Sequence, residues 1–436
     1  MPVRPGCSLL LAVILHLAGT ASLAESYVNS TLDQPDIDLL DGICRTIANT
    51  CTLRAAIMQE NNDGPGSYIF LPPGIYQLTR PPAGANGTDN GDLNFTESMN
   101  VVGYGAESTI VDGGGLDRVF TVAAGHSVTL WSLTVRNGAT QGPGATQEGG
   151  GILVLGSAGL DNVIVRDNQA IFGGGVAARG PNFWMDDSTI RDNRAAVRGG
   201  GLLASGEVTI RRSTISGNAA ASDHGGGIYL YSMANLRMEE STISSNRAGV
   251  DGGGIFASHQ DVLNIYSSTI VFNQADANDD GTGDGGGIVN NVFGSNTVNV
   301  RNCLIAGNYI VNFFDWDDCV GTISSYGRNL FGDVAGCSVI TGSGDWGLLN
   351  DLAWIGPLAK NGGVTQTHAI YPGSNAIDGG DPADGCGGPF GAFTVDQRRV
   401  PRVNGARCDV GAYEAGVLFA DGFELNGLAP WPSWRP

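Results

Sequence analysis

The stretch Gly199-Gly-Gly-Leu-Leu-Ala-Ser-Gly-Glu-Val-Thr-Ile-Arg-Arg-Ser-Thr-Ile-Ser-Gly-Asn218 is followed at Gly225 by Gly-Gly-Gly-Ile-Tyr-Leu and at Ser241 by Ser-Thr-Ile-Ser-Ser-Asn246. The same pattern returns along the middle of the chain. A glycine block opens at Gly149, Gly173, Gly199, Gly225, Gly252 and Gly285, and each is followed by a short segment ending at Asn168, Asn193, Asn218, Asn246, Asn273 or Asn308. Those asparagines are 25, 25, 28, 27 and 35 residues apart. Between block and asparagine lie alternating runs such as Val208-Thr-Ile210 and Leu263-Asn-Ile265. A unit this short, holding several brief strands, cannot bury its apolar face alone and must stack on its neighbours. The pattern predicts an all-β parallel solenoid.

Stacking turns equivalent residues into columns. Ile152, Val176, Leu202, Ile228, Ile255 and Ile288 are expected to form an inward aliphatic column, with Val154, Ala178, Ala204, Leu230 and Ala257 two residues on. Glycine at the corner permits positive φ or close approach of successive turns. The asparagine column suits a second corner, where Asn tolerates the left-handed conformation and stacked amides bond along the axis. Residues 68–137 carry the same architecture without the glycine triplet, in Ile69–Tyr76, Asn100–Tyr104, Thr109–Asp112 and Val128–Val135. About ten coils at the strand spacing give a rod of roughly 45–50 Å.

Composition narrows the class. The 436 residues include 68 glycines, about twice the usual share. Acids outnumber bases 43 to 23 for a formal charge of −20, and Lys360 is the only lysine. A duplex nucleic-acid binder needs a clustered basic face and is excluded. The glycines are not at every third position, which excludes collagen, and 42 % apolar residues argue against disorder.

Residues 1–24 read as a secretory signal: Arg4, the apolar run Leu9–Ala18, and Ser22-Leu23-Ala24 before the cleavage point. No stretch is long and apolar enough to be a transmembrane helix. In an oxidising compartment the short local pairings are Cys44–Cys51, Cys319–Cys337 and Cys386–Cys408. Cys303 is left over, standing where the repeat otherwise has serine, and is expected to be a buried free thiol. Residues 25–66, with a helix over Thr52–Gln59, are expected to cap one end of a solenoid spanning 67–318. A disulfide-rich segment, 319–415, would cap the other, and 416–436 would form a tail that could act as a sorting signal.

Several of these stretches resemble known families. Cys51-Thr-Leu-Arg-Ala-Ala-Ile57 resembles the Cys-Ser-Leu-Arg-Glu-Ala-Ile segment of secreted bacterial β-helix proteins, with Ala55 in place of its glutamate. The glycine blocks and Asn-ending hexads look like the repeats of chlamydial polymorphic outer-membrane proteins. Asn329-Leu-Phe-Gly, Asn361-Gly-Gly-Val-Thr-Gln-Thr-His368, Gly373-Ser-Asn-Ala-Ile-Asp378, Asp396-Gln-Arg398 and Cys408-Asp-Val-Gly-Ala-Tyr-Glu414 are similar to the choice-of-anchor Q C-terminal domain. The resemblance implies a right-handed, pectin-lyase-like β-helix, secreted or held at the outer membrane of a Gram-negative bacterium. It implies no single activity.

Three features carry candidate chemistry. The position before the glycine blocks holds Glu148, Phe172, Arg198, His224, Asp251 and Asp284, with Asp223 beside His224. That edge could grip Ca²⁺ or a saccharide, or be a solvated corner of an acidic protein. In Asp276-Ala-Asn-Asp-Asp-Gly-Thr-Gly-Asp284, the residues Asp276, Asn278, Asp280 and Asp284 occupy calcium-loop positions, but position twelve is Gly287 instead of a bidentate acid. The other reading is a plain acidic surface loop. Leu203, Tyr229 and Phe256, with Tyr231 alongside, form an outward apolar column. It is either an exposed face for stacking sugars or a satellite core covered by the C-terminal segment. Asp186-Asp187 and His224-Gly225 occur singly and Arg-x-Lys is missing, so the acid set of pectin-degrading hydrolases is not assembled.

The expectation is therefore an exported, non-catalytic scaffold, adhesin-like, binding an extracellular glycan or a surface protein. The alternatives are a polysaccharide lyase or hydrolase and a structural envelope protein.

Overall fold

The computed structural model describes residues 25–416 apart from 83–88, 141–146, 292, 312–315, 341–345, 348–353, 381–385, 389–390, 392 and 404. The proposed signal (1–24) and nearly all of the tail lie outside the described residues. The chain winds as a parallel β-solenoid. In one turn Leu202–Ala204 lies in sheet I, Glu207–Arg211 in sheet II and Thr214–Ser216 in sheet III, and Ala219–Ala220 adds to a short fourth ladder. Each strand pairs in parallel with its equivalent one turn on, as in Leu202↔Ile228 and Val208↔Leu236. Eight turns carry a separate strand in each of the three long sheets, from Leu93 to Ala306. Partial turns at both ends bring sheet III to 11 strands. The ten coils expected thus overcount the complete turns, because the end turns lack strands in one sheet or another; eight at ~4.8 Å make a rod of about 40 Å.

The predicted columns are in register. Ile152, Val176, Leu202, Ile228, Ile255 and Ile288 follow one another up sheet I and are buried in one continuous core. The triplet glycines divide their work. Gly225, the first of its block, has φ +72°. A Cβ on Gly226, the second, would lie 2.4 Å from the Arg247 carbonyl carbon, so only glycine lets the next turn approach there.

The asparagines form a buried ladder. Asn218 Oδ1 accepts from the backbone N–H of Asn193 (3.0 Å) and from its Nδ2 (3.0 Å), while Asn218 Nδ2 donates to Asn246 Oδ1 (2.9 Å) and to the Ile190 carbonyl (2.9 Å). The left-handed residue is not the asparagine, as anticipated, but the one before it: Asp167, Asp192, Gly217, Ser245, Phe272 and Gly307 all have positive φ. That twist turns the following amide inward. Beside the ladder runs a serine column in which Ser213 and Ser241 each donate to the carbonyl two residues back (2.6 and 2.7 Å). Cys303 takes this place in its turn, its thiol pointing at the Arg301 and Ile265 carbonyls (3.2 and 3.3 Å) and pushed up to about 12 by burial.

The ladder ends on a carboxylate. Asn308 gives both its backbone N–H (2.8 Å) and its Nδ2 (2.7 Å) to Asp318 Oδ1, and Asp333 N–H donates to Oδ2 (2.7 Å). Burial outweighs these donors and raises the Asp318 carboxyl to about 7. The unfolded chain takes up this proton near pH 3.8, the folded chain near 7. Between those values the fold binds more protons, so its stability falls as pH rises through the window. Melting temperature is expected to fall between pH 5 and 8, and less steeply in Asp318→Asn. Equal slopes in the two proteins would remove Asp318 as the cause.

The N-terminal helix runs Leu53–Asp63, starting one residue later than expected and reaching four residues further. The Thr52 hydroxyl accepts from Ala55 N–H at its N-cap (3.1 Å). Leu53, Ala56 and Ile57 join the solenoid core, and buried Arg54 pairs with Asp33 at 2.5 Å. The solenoid runs past residue 318, since Cys319–Ser325 pairs with both sheets I and II and Cys337–Ile340 adds a further strand. The later C-terminal segment lies along the outer flank of sheet III instead of closing the end. There Val271, Leu304, Ala306 and Leu330 meet Ile370, Ala376, Val410 and Tyr413. Gln397 reaches Thr214 and Thr242 (3.0 and 2.7 Å), and His368 reaches Ser244 (2.9 Å). The three expected disulfides, 44–51, 319–337 and 386–408, are formed, and Cys303 is free and buried. No helix among the described residues is long and apolar enough to cross a membrane.

Candidate glycan-binding edge

Strands of sheet II alternate inward and outward, so alternate residues of each form outward columns. Register fixes two of them. One runs Thr129, Gly159, Trp184, Thr209, Arg237; the other runs Trp131, Asp161, Asp186, Arg211, Glu239. The next residue in each turn (Ser132, Asn162, Asp187, Arg212, Glu240) has φ between 43° and 53° and makes the corner into sheet III. A left-handed residue after an outward one breaks the alternation, so Asp187 and Arg212 stand beside Asp186 and Arg211 on the same edge.

Two indoles and three carboxylates meet here. The Trp184 ring lies on Gly159, where an added Cβ would come within 2.2 Å of it. Trp131, 37 % exposed, packs edge-on to it at 6.5 Å between centroids. Arg212 pairs with Asp186 through its terminal nitrogen and lies 3.4 Å from Asp187 through Nε. Arg399, from the C-terminal segment, donates to Asp187 Oδ2 at 3.0 Å. Asp161 is half-buried, and its carboxylate has no hydrogen-bond or ion-pair partner among the described residues. Burial, reinforced by the Asp186 and Asp187 charges, raises its carboxyl above the ordinary range; burial also raises Asp186, against the pull of Arg212. Alongside, a hollow of about 240 Å³ is lined by Arg211, Arg212, Arg237, Glu239 and Phe393. The arrangement offers ring faces, a free carboxylate and cationic donors to a polyhydroxylated ligand.

The positions singled out from sequence lie elsewhere. Leu203, Tyr229 and Phe256 are buried with Val289 in a closed satellite cluster on the outer side of sheet I. The C-terminal segment does not cover them. The glycine corners do: a Cβ on Gly225 would lie 2.8 Å from Tyr229 Cβ. Phe172 packs against the cluster, His224 stacks on Phe256 at 4.2 Å, and Arg198 sits over Tyr229 at 5.3 Å. Tyr231 is 46 % exposed under the Arg179 guanidinium.

His224, Asp251 and Asp284 are neighbours up one edge, as the repeat implies. His224 Nδ1 lies 3.4 Å from Asp251, and Asp284 N–H donates to Asp251 Oδ1 at 2.9 Å. In the acidic loop the Asp276 carboxylate is taken up by the N–H groups of Asp280 (3.1 Å) and Gly281 (3.0 Å), and Asn278 donates to Asp280 at 2.9 Å. Among the described residues no three acid, histidine or cysteine side chains are placed to hold a metal ion. The loop is thus tied by its own backbone donors.

The edge of sheet II was not singled out from sequence as a site; only its Asp186-Asp187 pair was named, as an isolated fragment of a hydrolase acid set. Its signal is present in Val128-Thr-Leu-Trp131, Ser157-Ala-Gly-Leu-Asp161 and Asn182-Phe-Trp-Met-Asp186 once they are set in register. Glycine then stands next to Trp184, and the two acids are adjacent.

The comparisons agree with this architecture. No curated protein sequence matches the chain. The solved structure titled "Crystal structure of pectate lyase Pel9A" is similar over 91 % of this chain and 97 % of that one, with a TM-score of 0.52 and 14 % identity, a likeness of fold. Residues 122–341, half of the chain, match the family model described as "Right handed beta helix region". With these residues forming parallel turns in continuous register, the chain belongs to the right-handed β-helix family.

Proposed function

We propose that the protein is an exported β-helix scaffold, secreted or displayed at the cell surface, that binds glycan through the outer edge of sheet II without turning it over. The observation that carries this is the pairing of two partly exposed indoles with the unpartnered Asp161. Aromatic faces suit the C–H faces of sugar rings, and a desolvated carboxylate accepts from hydroxyl groups. The disulfides fit an oxidising compartment, and the resemblance of the terminal segments fits a secreted or surface location.

A second reading, a polysaccharide hydrolase or lyase, draws on one observation. Asp161 and Asp186 are in register on adjacent strands, whose spacing of about 4.8 Å is close to the separation of the carboxyl pair in retaining glycoside hydrolysis. Against it, Asp186 is engaged by Arg212 and Asp187 by Arg212 and Arg399, which leaves Asp161 without a second unpaired carboxyl beside it to serve as its acid or nucleophile.

Gly159→Ala separates these readings from a structural role. The added methyl cannot share space with the Trp184 indole, so the ring must leave its seat. Glycan binding is expected to fall about tenfold or more, equivalent to ~1.4 kcal/mol, with the fold retained by circular dichroism. Unchanged binding would take the indole out of the site. Release of reducing or unsaturated ends from a polysaccharide panel, with or without Ca²⁺, would replace the scaffold reading by the enzyme.

A further inference from the structure

The two outward columns continue toward the N-terminal end of sheet II. Below Trp131 the register runs to Val102, Phe70 and Tyr27, and below Thr129 to Asn100, Tyr68 and Glu25. Tyr27 is 60 % exposed and stacks on Phe70 at 4.9 Å with 15° between the planes; Tyr68 lies 6.2 Å from Phe70 in the same orientation. With Trp131 and Trp184 this makes five aromatic rings in two adjacent columns parallel to the solenoid axis. From Tyr27 to the strand of Trp184 are five inter-strand steps, about 24 Å. Between Tyr27 and Trp131 the two columns hold no cation; the remaining members are Val102, Asn100, Thr129 and Glu25.

We infer that this strip is the path of a single neutral polysaccharide chain, laid along the axis against the aromatic side chains with its hydroxyls on Asn100, Thr129 and Asp161. The inference rests on the glycan-binding reading and names its substrate class. The absence of cations from the two columns between Tyr27 and Trp184, Glu25 at the end, and the net charge of −20 all oppose a polyanionic chain. A protein partner would need a broad closed patch, whereas this strip is only two columns wide and carries Glu25, Asn100, Thr129 and Asp161 among its members.

The test is a length series: neutral β-linked gluco- and xylo-oligosaccharides of two, four and six units, titrated against the mature full chain, the Tyr27→Ala/Phe70→Ala variant and Trp184→Ala. Affinity is expected to rise about tenfold or more from two to six units in the wild type, as further rings are engaged. The gain should shrink to within about threefold in Tyr27→Ala/Phe70→Ala, and Trp184→Ala should weaken every length. Binding of two units with no gain in length, or a gain that survives Tyr27→Ala/Phe70→Ala, overturns the path and leaves the glycan reading in place. Tighter binding of a polyuronate of the same length overturns the neutral class. Conversion of a dimer to monomer by Tyr27→Ala/Phe70→Ala assigns the strip to a second copy and overturns the path. No binding of any probe overturns both the path and the reading beneath it.

Discussion

Replacing Asn218 with alanine is expected to lower the stability of the solenoid by about 3–5 kcal/mol, the largest effect of any uncharged substitution considered. The side chain holds four hydrogen bonds in a site closed to water. Its loss leaves the Asn193 backbone N–H without its acceptor, and the Ile190 carbonyl and Asn246 Oδ1 without the donor that Asn218 gave them; the Asn193 amide keeps the Val165 and Arg191 carbonyls. Each buried orphan costs about 1–3 kcal/mol, and the truncated site is too cramped to admit a water with the right partners. Denaturant melts measure this directly, with Asn182→Ala, on the exposed face of sheet II, as the control expected to stay within ~0.5 kcal/mol of wild type. A loss below about 1 kcal/mol would mean that side-chain packing, and not the amide ladder, holds that corner.

The second large effect concerns the C-terminal segment. Arg402 and Glu240 are both buried where the segment crosses sheet III. Arg402 Nε lies 3.0 and 3.1 Å from the two Glu240 oxygens, and its other nitrogens donate to the Gly411 and Asp409 carbonyls (2.7 and 3.2 Å). Burial works to neutralise both partners, raising the Glu240 carboxyl to about 8 against the pull of Arg402, while on Arg402 the Glu240 charge more than offsets burial and keeps the guanidinium charged. Arg402→Met leaves a carboxylate buried without its counter-charge, which costs about 3–5 kcal/mol. The segment is expected to lift from the flank and expose Val271 and Leu304, giving early proteolysis after residue 354 while the solenoid stays folded. Arg402→Met combined with Glu240→Leu should restore most of the loss, because a well-packed apolar pair replaces the ion pair. A double variant as labile as the single would show that the carbonyl contacts of Arg402, not its charge, dock the segment.

Much of this architecture can be read from the repeat because its reasons are local. Gly225 and Gly226 are glycine for positive φ and for the approach of the next turn, and Leu202 and Ile228 are apolar at a fixed offset from them. Cys303 falls in the serine column by spacing alone. The left-handed residue before each asparagine was harder to place, since Asp167, Ser245 and Phe272 have no common chemistry; the inward amide that follows enforces their conformation. The outward column Leu203–Tyr229–Phe256 reads as an exposed stripe until the glycine corner is folded over it. The edge of sheet II is the clearest case. Trp131, Asp161 and Asp186 are 30 and 25 residues apart, and corner segments of different lengths intervene. Only the strand register brings them side by side, and only the corner residue turns Asp187 to the same side. Likewise Arg399 reaches Asp187 across 212 residues, a contact no periodicity announces.

The central claim is that the sheet II edge binds glycan through its indoles without cleaving it. The most direct measurement is equilibrium binding of a panel of soluble neutral polysaccharides to the mature chain and to Trp131→Ala/Trp184→Ala, with reducing ends counted in the same samples. The account predicts saturable binding of at least one polymer by the wild type, loss of about tenfold or more in the double variant, and no new ends. Binding that survives the loss of both indoles, or new chain ends that accumulate with time, would contradict it.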